Sequence, residues 1–186
     1  MFRNSLLLIG EVLAMIKGYE IERKFLVAYP SIEELDVKRK ISITQTYLTN
    51  GENSAQRRVR KLTENGDTIY TYTEKLFITA VTRQEMEYEI DRKEYDRLIV
   101  QARDDCKPIN KVRYCFEYSG QLFELDTYPF SDSLAIMEIE LGSPEQPVDL
   151  PDNVTVIKEV TGDPSYSNAA IATAEEFPED AAAEGR

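Results

Sequence analysis

The sequence predicts an α+β fold, a closed antiparallel β-barrel of about eight strands with a few flanking helices. Three observations carry that prediction. Apolar and polar residues alternate through most of Tyr19 to Leu141, which is the period of a β-strand. Asn65-Gly66 and Ser119-Gly120 are tight turn signals, and connections that short make neighbouring strands antiparallel. Like charges recur two residues apart on run after run, a pattern that suits an interior better than an open, solvated face.

Taken in order, Met1 to Lys17 (MFRNSLLLIGEVLAMIK) holds an apolar run broken by Glu11. No small-x-small cleavage site follows, and the run is too short to span a bilayer, so it reads as a short helical extension rather than a targeting segment. One domain is expected over residues 18–177. Its strands are expected at Tyr19–Val27, Ile41–Leu48, Ala55–Leu62, Thr68–Leu76, Arg83–Ile90, Lys111–Tyr118, Gln121–Asp126 and Ala135–Leu141. Ser31 with Glu34 forms a potential capping box opening a short helix. Asp91 precedes a segment with Tyr95, Leu98, Ile99 and Ala102 on one face, the pattern of an amphipathic helix. A third helix, carrying Ala169, Ala170 and Ile171, is expected after Asp163-Pro164 and before Pro178. Residues 178–186 read as a disordered tail.

Composition narrows the chemistry. Of 186 residues, 42% are hydrophobic and 30% charged, as in a folded soluble domain rather than a disordered chain. The formal net charge of −12 argues against non-specific binding to nucleic acid or an anionic membrane, though it does not exclude an anionic substrate held by locally placed bases. The chain has no histidine, which removes imidazole bases, Ser-His-Asp and Cys-His nucleophiles and His-ligated zinc. A metal site would be built from carboxylates, which suit hard cations such as Mg²⁺ or Mn²⁺. The two cysteines, Cys106 and Cys115, form no CxxC, and a reducing cytoplasm is the expected setting.

The charges segregate by parity. Glu20, Glu22 and Lys24 share a face, as do Arg58 with Arg60, Arg83 with Glu85 and Glu87, Lys111 with Arg113, Glu124 with Asp126, and Glu138 with Glu140; Lys75 stands opposite Leu76. One reading is an ordinary solvated sheet face. The other is a barrel whose polar face looks inward. Like charges crowded on an interior wall need opposite charge between them: cations for the acids, a polyanion for the bases. Guanidinium groups match phosphate oxygens in pairs. Metal and phosphate together describe phosphoryl transfer. Tyr47, Tyr70, Tyr72 and Tyr88 read as barrel packing, and Cys115, on the parity of Arg113, as a small filler.

Glu20-x-Glu22-x-Lys24 resembles the ExExK signature of the CYTH superfamily, the triphosphate tunnel metalloenzymes. Arg58-Val59-Arg60, Lys75, Arg83-x-Glu85-x-Glu87, Lys111-x-Arg113, Glu124-x-Asp126 and Glu138-x-Glu140 follow in that family's order. The segment EVTGDPSYSN, with Asp163, Tyr166 and Asn168, resembles the approach to the family's C-terminal helix. The resemblance implies a tunnel-forming barrel and metal-dependent cleavage of a triphosphate's terminal phosphate with Mg²⁺ or Mn²⁺. It implies catalytic roles for Glu20, Glu22, Lys24, Glu138 and Glu140, and metal ligation by Glu20, Glu22 and Glu140 with Glu138 close by. Glu124, Asp126, Glu85 and Glu87 would hold a second metal, orient water or fix the bases. Lys24, Arg58, Arg60, Lys75, Arg83, Lys111 and Arg113 would grip the phosphates. Family activities include inorganic, thiamine and nucleoside triphosphatase and class IV adenylate cyclase; the compact chain most resembles small bacterial inorganic triphosphatases. A non-catalytic polyphosphate or nucleotide sensor would need the bases without so many carboxylates.

Overall fold

The computed structural model describes residues 21–51, 54–77 and 83–178. The extension 1–17, Glu20 and the tail beyond 178 lie outside the described residues. Nine strands form a single antiparallel sheet: β1 (Glu22–Ala28), β2 (Val37–Leu48), β3 (Gln56–Glu64), β4 (Asp67–Phe77), β5 (Arg83–Ile90), β6 (Ile109–Tyr118), β7 (Gln121–Thr127), β8 (Leu134–Glu140) and β9 (Val156–Glu159). Their order across the sheet is β5-β4-β3-β2-β6-β7-β8-β1-β9. Among the described residues two α-helices flank it, α1 (Arg92–Ile99) and α2 (Asn168–Ala174). The expected antiparallel α+β architecture is the one adopted, with β9 added to the expected strands.

The turn signals work as read. Asn65 and Gly66 have φ of 51° and 93°, and Ser119 and Gly120 have φ of 49° and 73°, the paired positive angles that join β3 to β4 and β6 to β7 without splaying them. The helix expectations need adjusting. Ile32–Glu34 is one 3₁₀ turn and Ser31 makes no side-chain cap, so the capping box does not form. α1 starts as expected, with Asp91 accepting from the Glu94 amide at 2.7 Å. It stops at Ile99, and Ala102 bridges to Leu48 instead. α2 is capped by Ser167, while Asp163 caps the 3₁₀ turn Pro164–Tyr166 ahead of it.

Where the two faces of the sheet go decides between the two readings of the charges. Phe25, Val27, Phe116, Phe123, Leu125, Met137 and Ile139, on the face opposite the charges, are buried under Leu35 and Val154 from the loops outside the sheet. Leu48, Val59 and Tyr72, also opposite the charges, pack against Tyr95 and Leu98 of α1. The apolar face is therefore the outside of the sheet, covered by peripheral segments, and the charged face is the concave side. The curl is visible from β1 to β2, which three intervening strands separate in the ladder. Leu26 of β1 and Tyr47 of β2 nevertheless share one buried cluster. The ladder is continuous from β5 to β9, and no pairing between those end strands occurs among the described residues.

Candidate active site

Strand register sets the site. β1 faces β8 with Glu22 opposite Glu140 and Lys24 opposite Glu138. β7 faces β8 with Glu124 opposite Glu138, and β6 faces β7 with Arg113 opposite Asp126. β3 and β4 place Arg58 opposite Thr73 and Arg60 opposite Thr71. β4 and β5 place Lys75 opposite Glu85 and Thr73 opposite Glu87. Partner positions in a ladder point to the same face, so these side chains all line the concave side.

Around β6, β7, β8 and β1 they form one buried network centred on Asp126, whose side chain is 0% exposed. Lys111 pairs with it, and Arg113 clasps it with two hydrogen bonds of 2.7 Å. Arg113 also reaches Glu138 at 3.0 Å and pairs with Glu124. Lys24 donates to Glu138 at 2.8 Å and lies 3.8 Å from Glu22. Burial raises the Asp126 carboxyl, but Arg113 and Lys111 outweigh it and hold it well below the usual carboxylate range. Glu138 is likewise lowered, its burial outweighed mainly by Lys24. Burial dominates at Lys111, whose ammonium is lowered to about 8 despite Asp126. Glu124 is raised, chiefly by burial.

Across β3, β4 and β5 the bases sit in a second group. Arg58 lies 3.3 Å from Glu85 and 3.7 Å from Glu87; Arg60 pairs with Glu87 and Lys75 with Glu85. Thr73 donates to Glu87 at 2.7 Å, and Arg60 donates to Thr71 at 3.3 Å. Burial and then Arg58 depress the Arg60 guanidinium. The second group thus sets three cations, Arg58, Arg60 and Lys75, against two acids, an excess that attracts a polyanion, whereas in the first group the acids outnumber the bases.

One end of the concave side is sealed. Leu26 and Ile136 share a parity with Lys24 and Glu138, yet pack with Tyr47, Ile109 and Tyr128 against Tyr166, Ile171 and Ala172. Tyr166 is therefore buried in the seal, and Asn168 accepts from the Tyr128 hydroxyl at 3.1 Å. Cys115, Ile41 and Ile43 form a smaller buried apolar group towards the other end.

Of the acids that sequence reading proposed, Glu138, Asp126, Glu124, Glu85 and Glu87 are each engaged by bases. Among the described residues Glu22 and Glu140, register partners, are the least engaged: the Glu22 side chain is 39% exposed and its contact there is Lys24 at 3.8 Å. Among the described residues no three acids lie close enough to form a metal-binding cluster. Two facing carboxylates still fit Mg²⁺ or Mn²⁺, because a hard cation of this kind is held by one or two carboxylates together with substrate phosphates and water. Glu20 lies outside the described residues, as does the side chain of Arg83.

Sequence reading missed the part played by β2. Gln45 and Tyr47 lie on the charged face, with Gln45 opposite Arg60 and Tyr47 opposite Arg58. Parity along β2 carried the signal, but with no ionised residue at those positions it read as packing. All four tyrosines pack as expected, Tyr70, Tyr72 and Tyr88 on the outer face and Tyr47 in the buried apolar cluster on the charged face. Burial raises the Tyr47 phenol, partly offset by Arg58 and Lys24.

Comparison with known proteins gives a concordant result. The family model described as CYTH domain matches residues 18–160. The solved structure of the hypothetical protein NE1496 is similar at 33% identity and a TM-score of 0.55, over 86% of this chain and 99% of that one. A structure of the inorganic triphosphatase NE1496 is similar at 31% identity and a TM-score of 0.53, over 88% and 98%. The PH1819 protein from Pyrococcus horikoshii OT3 shares the fold at 20% identity and a TM-score of 0.50, over 68% and 80%. No curated protein sequence matches.

Proposed function

The chain belongs to the CYTH domain family, and from that premise we propose that it is a metal-dependent phosphoanhydride hydrolase that removes the terminal phosphate of inorganic triphosphate. The observation that carries the reading is the concave face itself: cations held by buried acids, two less engaged carboxylates beside them, and one end closed by apolar packing. That closed end leaves phosphates accommodated and disfavours a bulky organic group there. The name of the similar NE1496 protein, inorganic triphosphatase, supports the same substrate.

Glu22 and Glu140, with Glu20, would hold Mg²⁺ or Mn²⁺, and Glu138 would steady Lys24 beside them. When bound, such an ion acts as a Lewis acid that offsets charge on the phosphate oxygens. Lys24, Arg58, Arg60, Lys75, Arg83 and Arg113 grip those oxygens and stabilise the leaving diphosphate. Asp126, Glu124, Glu85 and Glu87 fix these bases in place, and Lys111 adds positive potential from behind Asp126. Bases fixed this way need no reorganisation as charge develops. Among the described residues no helix is long and apolar enough to cross a membrane.

The test is phosphate release from inorganic triphosphate, ATP and thiamine triphosphate in parallel, with Mg²⁺ or Mn²⁺ and with a chelator. Chelator-sensitive release, fastest from inorganic triphosphate, is the expected result. Cyclic AMP formed from ATP would assign a cyclase instead, and tight binding without turnover a sensor.

A further inference from the structure

β2, expected as a strand but assigned no functional residue, holds a group that no ion pair explains. Gln45 is 1% exposed, in the middle of the concave face between Arg60 on β3 and Ile109 on β6. Its side-chain nitrogen donates to the Tyr47 hydroxyl at 2.9 Å. Its side-chain oxygen is buried and receives no hydrogen bond from any described residue. A bare buried acceptor is costly, so its retention asks for a partner.

The surroundings restrict what that partner is. Phosphate oxygens are acceptors, as the amide oxygen is, so the triphosphate itself is repelled rather than bound. The partner has to donate hydrogen, and water is the donor that hydrolysis requires. A water that gives a hydrogen to the amide oxygen turns a lone pair away from it, towards whatever the bases hold. Tyr47, fixed by Gln45 and facing Arg58, forms the adjoining wall.

We propose that Gln45 binds and orients the water that attacks the terminal phosphorus, a role that rests on the triphosphatase reading. The attacking oxygen forms the new P–O bond, the bond to the bridging oxygen breaks, diphosphate leaves, and the proton lost by the water ends on the products or solvent. Gln45 supplies the direction of attack and neither gains nor loses a proton.

The experiment compares wild type with Gln45→Met, the apolar replacement closest in shape, and with Gln45→Leu should Gln45→Met fail to fold. The readouts are kcat and KM for inorganic triphosphate at several Mg²⁺ concentrations, and Tm without substrate. The expected result is a fall in kcat of about 10- to 100-fold, with KM within about 2-fold and Tm unchanged or raised, because a misdirected nucleophile slows chemistry without loosening the phosphates. A kcat within about 2-fold of wild type overturns the proposal. So does a loss that tracks a lower Tm, which marks a structural role, or one reversed by added Mg²⁺, which marks a metal ligand. If wild type releases no phosphate from triphosphate under any condition, the functional reading fails and this proposal falls with it.

Discussion

The two groups of charges on the concave face are built from the same residue types and differ in how they are held. On β6, β7, β8 and β1, Asp126 is wholly buried and shared by Lys111 and Arg113, and Arg113 spans three acids. On β3, β4 and β5, Glu87 is 33% exposed, and Glu85 and Glu87 divide Arg58, Arg60 and Lys75 between them. In the first group Asp126 is the acid that cannot be removed without leaving Lys111, 2% exposed, with no ion-pair partner among the described residues. The second stands at the end of the sheet, where water offsets part of any loss. An ion pair's worth depends on what remains when one member goes.

Asp126→Asn breaks the first group most directly. It leaves Lys111 and Arg113 buried around a neutral side chain and should cost about 3–5 kcal/mol, read from urea unfolding. A cost below about 1 kcal/mol would show that the network is solvated after all.

Next in size is a pH effect from the same group. Lys111 has a folded value of about 8, below the roughly 10.4 of an exposed lysine. Between those values the unfolded chain binds a proton that the folded chain has released. The lysine's contribution to stability therefore rises with pH across that window, by up to about 1.4 kcal/mol per pH unit. Unfolding free energies from pH 7 to 10 should show this slope in wild type and lack it in Lys111→Met.

The smallest stability effect is expected in the second group. Glu87→Gln keeps the Thr73 contact and part of the Arg60 contact, and should cost no more than about 1–1.5 kcal/mol by urea unfolding. Its effect belongs in substrate binding, as a several-fold rise in KM for inorganic triphosphate with Arg58 and Arg60 less well held. A cost equal to that of Asp126→Asn would erase the distinction between the groups.

Much of this was legible in the sequence because strand parity is a rigid rule. Once Arg58, Arg60, Glu85 and Glu87 were assigned to strands, their common face followed, and the turns at Asn65-Gly66 and Ser119-Gly120 fixed the pairing of β3 with β4 and β6 with β7. What parity cannot express is which carboxylate meets which base. Asp126 read as a second-tier acid alongside Glu124, and only the packing of β6 on β7 makes it the centre of a network. β9 was missed because four residues, Val156–Glu159, carry too short an alternation to register, and they pair with β1 only through tertiary placement. Gln45 and Tyr47 were passed over because neutral side chains on a charged face look like filler until their neighbours are known.

Glu22→Gln tests the central claim most directly, since Glu22 is half-exposed, weakly tied to Lys24, and opposite Glu140. Metal-dependent phosphate release from inorganic triphosphate should fall at least about 100-fold, with Tm essentially unchanged. Turnover near that of wild type would contradict the account, because the concave face would then act without the carboxylate proposed to hold the metal.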